Sequence, residues 1–191
     1  MINIKNIIKK YWFLAAMLVF IAILFLLSLL LKNSVYKKDA SQLSDSAVSW
    51  KGIQPGITNE EELKDKLGQP LKEYYQQDTK ILEYPSDYKQ YPNQVYLENQ
   101  TISFVKEQVS LKQNLYLKDF INQYGSPDLI MYDESLGNAR PLNIYPNHGL
   151  AVAAHIDEGL VAEIWYFPAM SLKQFYKTYS QILSQTPIKK F

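Results

Sequence analysis

The sequence predicts an α+β protein: a single N-terminal transmembrane helix followed by a tandem helix-plus-antiparallel-sheet domain of two repeats. Three observations predict it. Residues 12–31 form a long, uncharged, predominantly apolar run. A helix-stopping Gly-x-Pro occurs twice, in "KLGQP" (Lys66–Pro70) and "QYGSP" (Gln123–Pro127). Strand-like segments follow each of them in the same order.

The apolar run, Trp12 to Leu31, contains no charge, proline or glycine. Twenty helical residues rise ~30 Å, the thickness of a hydrocarbon core. The run exceeds the apolar stretch of a cleaved signal peptide, the alternative reading, and "LLLKNSVYKKDA" offers no small-residue cleavage site. Lys5, Lys9 and Lys10 precede it, and Tyr11 and Trp12 suit an interfacial aromatic belt. The expectation is a single-pass protein of the plasma membrane that contacts the bilayer through 12–31. Its N-terminus is cytoplasmic and its C-terminal domain extracytoplasmic. Residues 1–11 are then a cytoplasmic leader, and polar 32–49 a linker.

Composition excludes several functions. Net charge is +1, so no global field favours nucleic acid. Cysteine is absent, which removes disulfides, thiolate metal sites, thiol catalysis and an acylation cysteine.

The first repeat spans 50–113. In "PGITNEEELKDKLGQP", Thr58 and Glu61 have capping-box spacing, and Glu60, Glu61 and Glu62 suit the positive end of a helix dipole. Leu63 and Leu67 share one face. Gly68 takes the left-handed stop and Pro70 prevents continuation. Strands follow in "LKEYYQ", "KILEYP" and "QVYLENQTISFVKEQV", the last a hairpin turning at "ENQ".

The second repeat spans 114–170. Leu117, Phe120, Ile121 and Tyr124 have helical spacing, and Gly125 and Pro127 end that helix. "DLIMYDE", "LNIYPN" and "GLAVAAHIDEGLVAEIWYF" match the earlier strands, with a turn at Asp157–Gly159. Thr58, Gly68, Pro70, Gly125 and Pro127 thus mark the repeat. Residues 171–191 carry a last helix capped by Ser171, with Leu172, Phe175, Tyr179, Ile182 and Leu183 as an apolar stripe. It is expected to cover sheet that would otherwise be exposed, the alternative being that it binds a partner.

"WKGIQPGITNEEELKDKLGQP" resembles the opening of the BamE-like (SmpA/OmlA) family and the wider group sharing the fold of β-lactamase inhibitor protein. The resemblance rests on "PGIT", the acidic helix start, "LGQP" and the tyrosine-rich strands. It covers 50–106 and, more divergently, 114–168. It implies helices packed on an antiparallel sheet, protein–protein contact outside the cytoplasm, and no shared catalytic centre. The chain departs from the lipoproteins of that family in lacking the lipidation cysteine and in having two copies.

No catalytic, cofactor or metal residues emerge. His148 lies in a turn-like segment and His155 on the solvated side of a strand, with no nucleophile elbow or HExxH motif near either. Tyrosine is the unusual feature. "EYYQQDTKILEYPSDYKQYPNQVY" holds Tyr74, Tyr75, Tyr84, Tyr88, Tyr91 and Tyr96. Strand alternation gives Tyr84 and one of Tyr74 and Tyr75 to the core. Tyr88 and Tyr91, in the loop "SDYKQYPN", are the partner-binding candidates, because exposed loop aromatics suit interfaces. The expected function is a membrane-anchored extracytoplasmic protein-binding or envelope-assembly module without catalytic activity. Two alternatives stand: a cell-envelope hydrolase with dispersed carboxylates, and a structural tether or sensor. Clustered, shifted carboxylates in a deep cleft would favour the hydrolase, and a shallow aromatic sheet face would favour binding.

Overall fold

A computed structural model of the chain describes residues 48–188. Helix α1 (Glu60–Leu67) has Asn59 as its cap, whose Oδ1 accepts from the Glu62 N–H at 2.9 Å. The cap was expected one residue earlier. Thr58 is instead tied into the preceding segment: its Oγ1 accepts from the Gln54 N–H at 2.9 Å, and its carbonyl accepts from the Ile102 N–H at 3.0 Å. With both groups engaged, Thr58 is buried and Asn59 is the first residue free to cap.

Gly68 ends α1 at φ 80°, ψ −168°, and Gly125 ends α2 (Leu117–Tyr124) at φ 81°, ψ −170°. This is not the left-handed helical stop expected of them. It is a positive φ with an extended ψ, a region essentially restricted to glycine. It turns the chain directly into a strand. Past Pro70, the Leu71 N–H reaches the Glu83 carbonyl at 2.8 Å; past Pro127, the Asp128 N–H reaches the Ile144 carbonyl at 2.9 Å.

Eight strands follow these openings. They are β1 (Lys72–Gln76), β2 (Thr79–Tyr84), β3 (Asn93–Glu98), β4 (Thr101–Gln108), β5 (Leu129–Met131), β6 (Leu142–Tyr145), β7 (Leu150–Ala154) and β8 (Val161–Tyr166). All neighbours are antiparallel, in the order β1-β2-β3-β4-β8-β7-β6-β5. The expected tandem of two helix-plus-sheet repeats is therefore corrected to one eight-stranded sheet. It is continuous through β4 and β8, which pair from Val105↔Tyr166 to Gln108↔Glu163. Two separate sheets would leave β4 and β8 as edges with unpaired backbone groups, and pairing them satisfies both.

The membrane expectation is corrected as well. Among the described residues no helix is long and apolar enough to cross a membrane. Residues 12–31, on which the single-pass placement rested, lie outside the described residues, as do the leader and all but the last two linker residues.

Register and alternation sort the side chains onto two faces. One face carries Leu82, Val95, Leu97, Ile102, Val105, Ile164 and Tyr166, all buried. Helix α1 lies over it, joined by the Glu60–Lys80 ion pair at 2.8 Å and by the Tyr84 hydroxyl donating to the Gly68 carbonyl at 3.3 Å. Helix α2 lies over the same face, the Tyr124 ring meeting that of Tyr145 at 5.9 Å.

The other face is covered in its second half by α3 (Leu172–Tyr179). Ser171 caps α3 with the reciprocal Gln174 bond of a capping box. Phe175 and Leu183 pack with Met131, Leu142, Ile144, Ala151, Ala153, Trp165 and Phe167. Leu172 and Ile182, expected in the same stripe, are exposed: Leu172 is the first residue of the helix, and Ile182 lies beyond its end at Tyr179, where the helical spacing no longer holds. The two edges of the sheet differ. Just past β5, Tyr132 and Ser184 exchange backbone hydrogen bonds of 2.8 and 2.9 Å, so the tail pairs with that edge at one point. No described segment pairs with the outer side of β1.

Candidate functional site

One cross-strand row locates the uncovered surface. It runs Lys72, Glu83, Gln94, Lys106, Trp165, Ala151, Ile144, Leu129 from one edge to the other. It is charged or amide-bearing through β4 and apolar beyond, and the change falls where α3 begins to cover the sheet. The α3 border is marked by Tyr179, whose ring stands 6.1 Å from that of Phe104. All three described helices are accounted for, and none lies over this face of β1–β3.

The side chains of this open face bind one another across the strands. The Tyr96 hydroxyl donates to Gln94 Oε1 at 2.9 Å, Gln94 Nε2 donates to the Tyr74 hydroxyl at 3.3 Å, and Tyr74 donates to Glu83 Oε1 at 3.2 Å. Ile81, between Tyr74 and Tyr96 in register, is fully buried among them. Lys72 Nζ stands 4.8 Å from the Tyr74 ring centre, and Lys106 Nζ stands 4.6 Å from that of Trp165. Tyr96 meets Phe104 edge-on at 5.5 Å. Burial pushes the Tyr96 hydroxyl up to about 12. Burial raises Tyr74 too, with Glu83 adding to it. Both phenols are therefore neutral donors at physiological pH. Toward β8, Glu163 accepts from Gln108 and from the Trp165 indole and is buried.

On the opposite face, a groove of about 700 Å³ lies between the start of α1 and the turn ends of β1–β4. Its floor is the row Tyr75, Lys80, Leu97. Lys80 Nζ lies 2.8 Å from Glu60 and 3.3 Å from Glu73, and Lys64 Nζ lies 2.6 Å from Glu60 and 3.8 Å from Glu73. Burial alone would raise Glu60, but the two lysines outweigh it and hold the carboxyl below its usual range. The Glu60 hydrogen bond in turn raises Lys80. Glu61, Asp65 and Asp78 on the rim make no ion pair among the described residues. A smaller cleft of about 260 Å³ lies between Gln54–Ile57 and His148, Phe167 and Pro168.

The two tyrosines singled out from sequence sit elsewhere. Tyr91 is exposed in the β2–β3 loop. Tyr88 braces that loop: its hydroxyl accepts from the Leu111 N–H at 3.1 Å, and its own N–H donates to Ser86 Oγ at 3.0 Å. Thr58, Gly68, Pro70, Gly125 and Pro127 shape chain turns and touch neither surface's binding groups. His148 meets the Tyr124 ring at a tilt of 50°, 4.8 Å between ring centres, and His155 lies in the β7–β8 turn beyond the end of its strand. Among the described residues no three His, Asp or Glu side chains converge to hold a metal ion. Gln94, Tyr96 and Glu98 were legible as the polar phase of "NQVYLE". The groove was not, because it depends on where α1 docks.

No family model and no curated protein matches the chain. Among solved structures it is similar to a DUF4309 family protein (YjgB) from Bacillus subtilis, at 10% identity and TM-score 0.49, covering 71% of this chain and 96% of that one. It is also similar to an extracellular protein containing an SCP domain from Bacillus anthracis, at 14% identity and TM-score 0.45, covering 76% of this chain and 53% of that one. A third, a cysteine-rich secretory protein from Staphylococcus aureus, is 10% identical with TM-score 0.39, covering 74% and 54%. The chain thus spans about half the length of the last two. The BamE-like resemblance is corrected: no family model supports it, and the architecture is a single eight-stranded antiparallel sheet rather than two repeats.

Proposed function

We propose that this chain is a non-catalytic protein-binding module that grips a partner through the open face of β1–β3 and the adjoining part of β4. The observation that carries it is the hydrogen-bonded row Tyr96–Gln94–Tyr74–Glu83 on a sheet face that no described helix covers. Tyrosines held in place by their neighbours present apolar ring area at little cost in rotamer freedom, and amides beside them supply orientation-specific hydrogen bonds. The buried carboxyls favour binding over hydrolysis. Glu107 accepts from the Tyr166 hydroxyl at 2.6 Å, Glu163 is held by Gln108 and Trp165, and neither lines either groove.

Photo-crosslinking tests the proposal. A benzophenone side chain at Glu98, exposed on the open face, should give a discrete adduct in native extracts, and one at Lys173 on α3 should not. Tyr96→Ala should abolish the Glu98 adduct, and should weaken the isolated complex by about tenfold or more, ~1.4 kcal/mol. Equal adducts from both positions, or an adduct indifferent to Tyr96→Ala, would refute it.

A further inference from the structure

We infer that the partner presents an extended, basic segment, which adds as a strand to the outer side of β1 and lays its cationic side chains in the groove under α1. This rests on the protein-binding proposal and names the chemistry of what is bound. The first support is the inequality of the two sheet edges. Beside the β5 edge the tail is anchored by the Tyr132–Ser184 backbone pair, just past the strand, and by Asn138 of the β5–β6 loop, which bonds the Ile188 carbonyl and N–H at 2.9 and 2.7 Å. The β1 edge has no such cover among the described residues. It contains no proline, and its register with β2 runs unbroken over five pairs from Lys72↔Glu83 to Gln76↔Thr79. A straight, unpaired edge of this kind offers a ready backbone ladder to an extended peptide.

The second support is charge. An added strand would send alternate side chains over the same face as Glu73 and Tyr75, which is the face of the groove. There the inner charges cancel, because Lys64 and Lys80 are shared by Glu60 and Glu73. The rim carboxylates Glu61, Asp65 and Asp78 have no ion-pair partner among the described residues, so the groove's rim carries net negative charge. Tyr75, 70% exposed, adds an open ring face on which a lysine or arginine can rest.

Charge also decides against a second copy of this chain. Antiparallel pairing of β1 with itself about Tyr74 would set two acidic grooves side by side on the same face of a joined sheet. Lysine or arginine at alternate positions of a foreign strand removes that repulsion.

The probe is a synthetic octapeptide alternating lysine and threonine, titrated into the full chain. Its partners in the experiment are the corresponding glutamate–threonine peptide and a lysine–threonine peptide N-methylated at alternate residues. The lysine peptide should bind at least tenfold tighter than the glutamate peptide, and less tightly as salt rises. It should slow hydrogen exchange at β1 amides, and N-methylation should cost tenfold or more. The double variant Glu61→Lys with Asp78→Lys changes exposed side chains that make no ion pair among the described residues, and should lose at least tenfold in affinity for the lysine peptide while thermal unfolding shows the fold retained. Equal binding of the two charge types, or unchanged exchange in β1 at saturation, overturns the inference. So does a chain that crosslinks a partner through the open face yet ignores the lysine peptide, and that outcome leaves the protein-binding proposal standing.

Discussion

Glu107 shows how one residue sets a pH dependence. Burial raises its carboxyl above the usual value of 4.5, against the Tyr166 hydrogen bond, which favours the charged form. A raised carboxyl ionises in the unfolded chain before it ionises in the folded one. Its contribution to stability is therefore whole below pH 4.5 and declines as pH climbs through the folded value. Glu107→Gln keeps an acceptor for Tyr166 and has no charge to bury. In urea titrations the variant should gain on the parent at pH 8 and lose that advantage at pH 4. Gly149 gives a steric counterpart. A Cβ built there would stand 2.1 Å from the Phe167 carbonyl oxygen at φ +65°, whereas one at Gly68 would meet nothing within 4 Å. Gly149→Ala should thus cost more than Gly68→Ala, which bears only backbone strain of ~1–3 kcal/mol. Midpoints of thermal unfolding would rank the two.

At the scale of elements, helices were the most legible. The stripe of α3 and its Ser171 cap followed from spacing and one hydroxyl, and the body of α1 followed from its acidic start. The α1 cap was displaced from Thr58 to Asn59 by a contact 44 residues away, the Ile102 N–H, which local sequence does not announce. Asn59→Ala should accordingly cost ~1 kcal/mol in chemical unfolding. Strands were legible one by one, and their partners were not. Nothing in "SFVKEQ" says that Val105 will sit opposite Tyr166. Hence two sheets were expected where one exists. The open face was half legible, since alternation separates Gln94 and Tyr96 from Val95 and Leu97. Which phase stays uncovered depends on α3 reaching only as far as Phe104. Phe175, fully buried among Phe167, Tyr179 and the apolar half of the sheet, anchors that helix. Phe175→Ala should destabilise by ~3–5 kcal/mol, measurable by denaturant midpoint.

For the whole molecule, the consequence lies in the sheet's two ends. The tail pairs at Tyr132 and ties Asn138 to Ile188, so it obstructs one end without adding a ninth strand to the ladder. Truncation after Leu183 should uncover β5 and produce concentration-dependent assemblies in sedimentation velocity, where the intact chain sediments unchanged with dilution. The intact sheet is in this sense monovalent. On the inference above a strand joins at β1, and the tail anchored beside the far edge stands in the way of a second. The stoichiometry expected of that complex is then one to one, set by the chain's own tail.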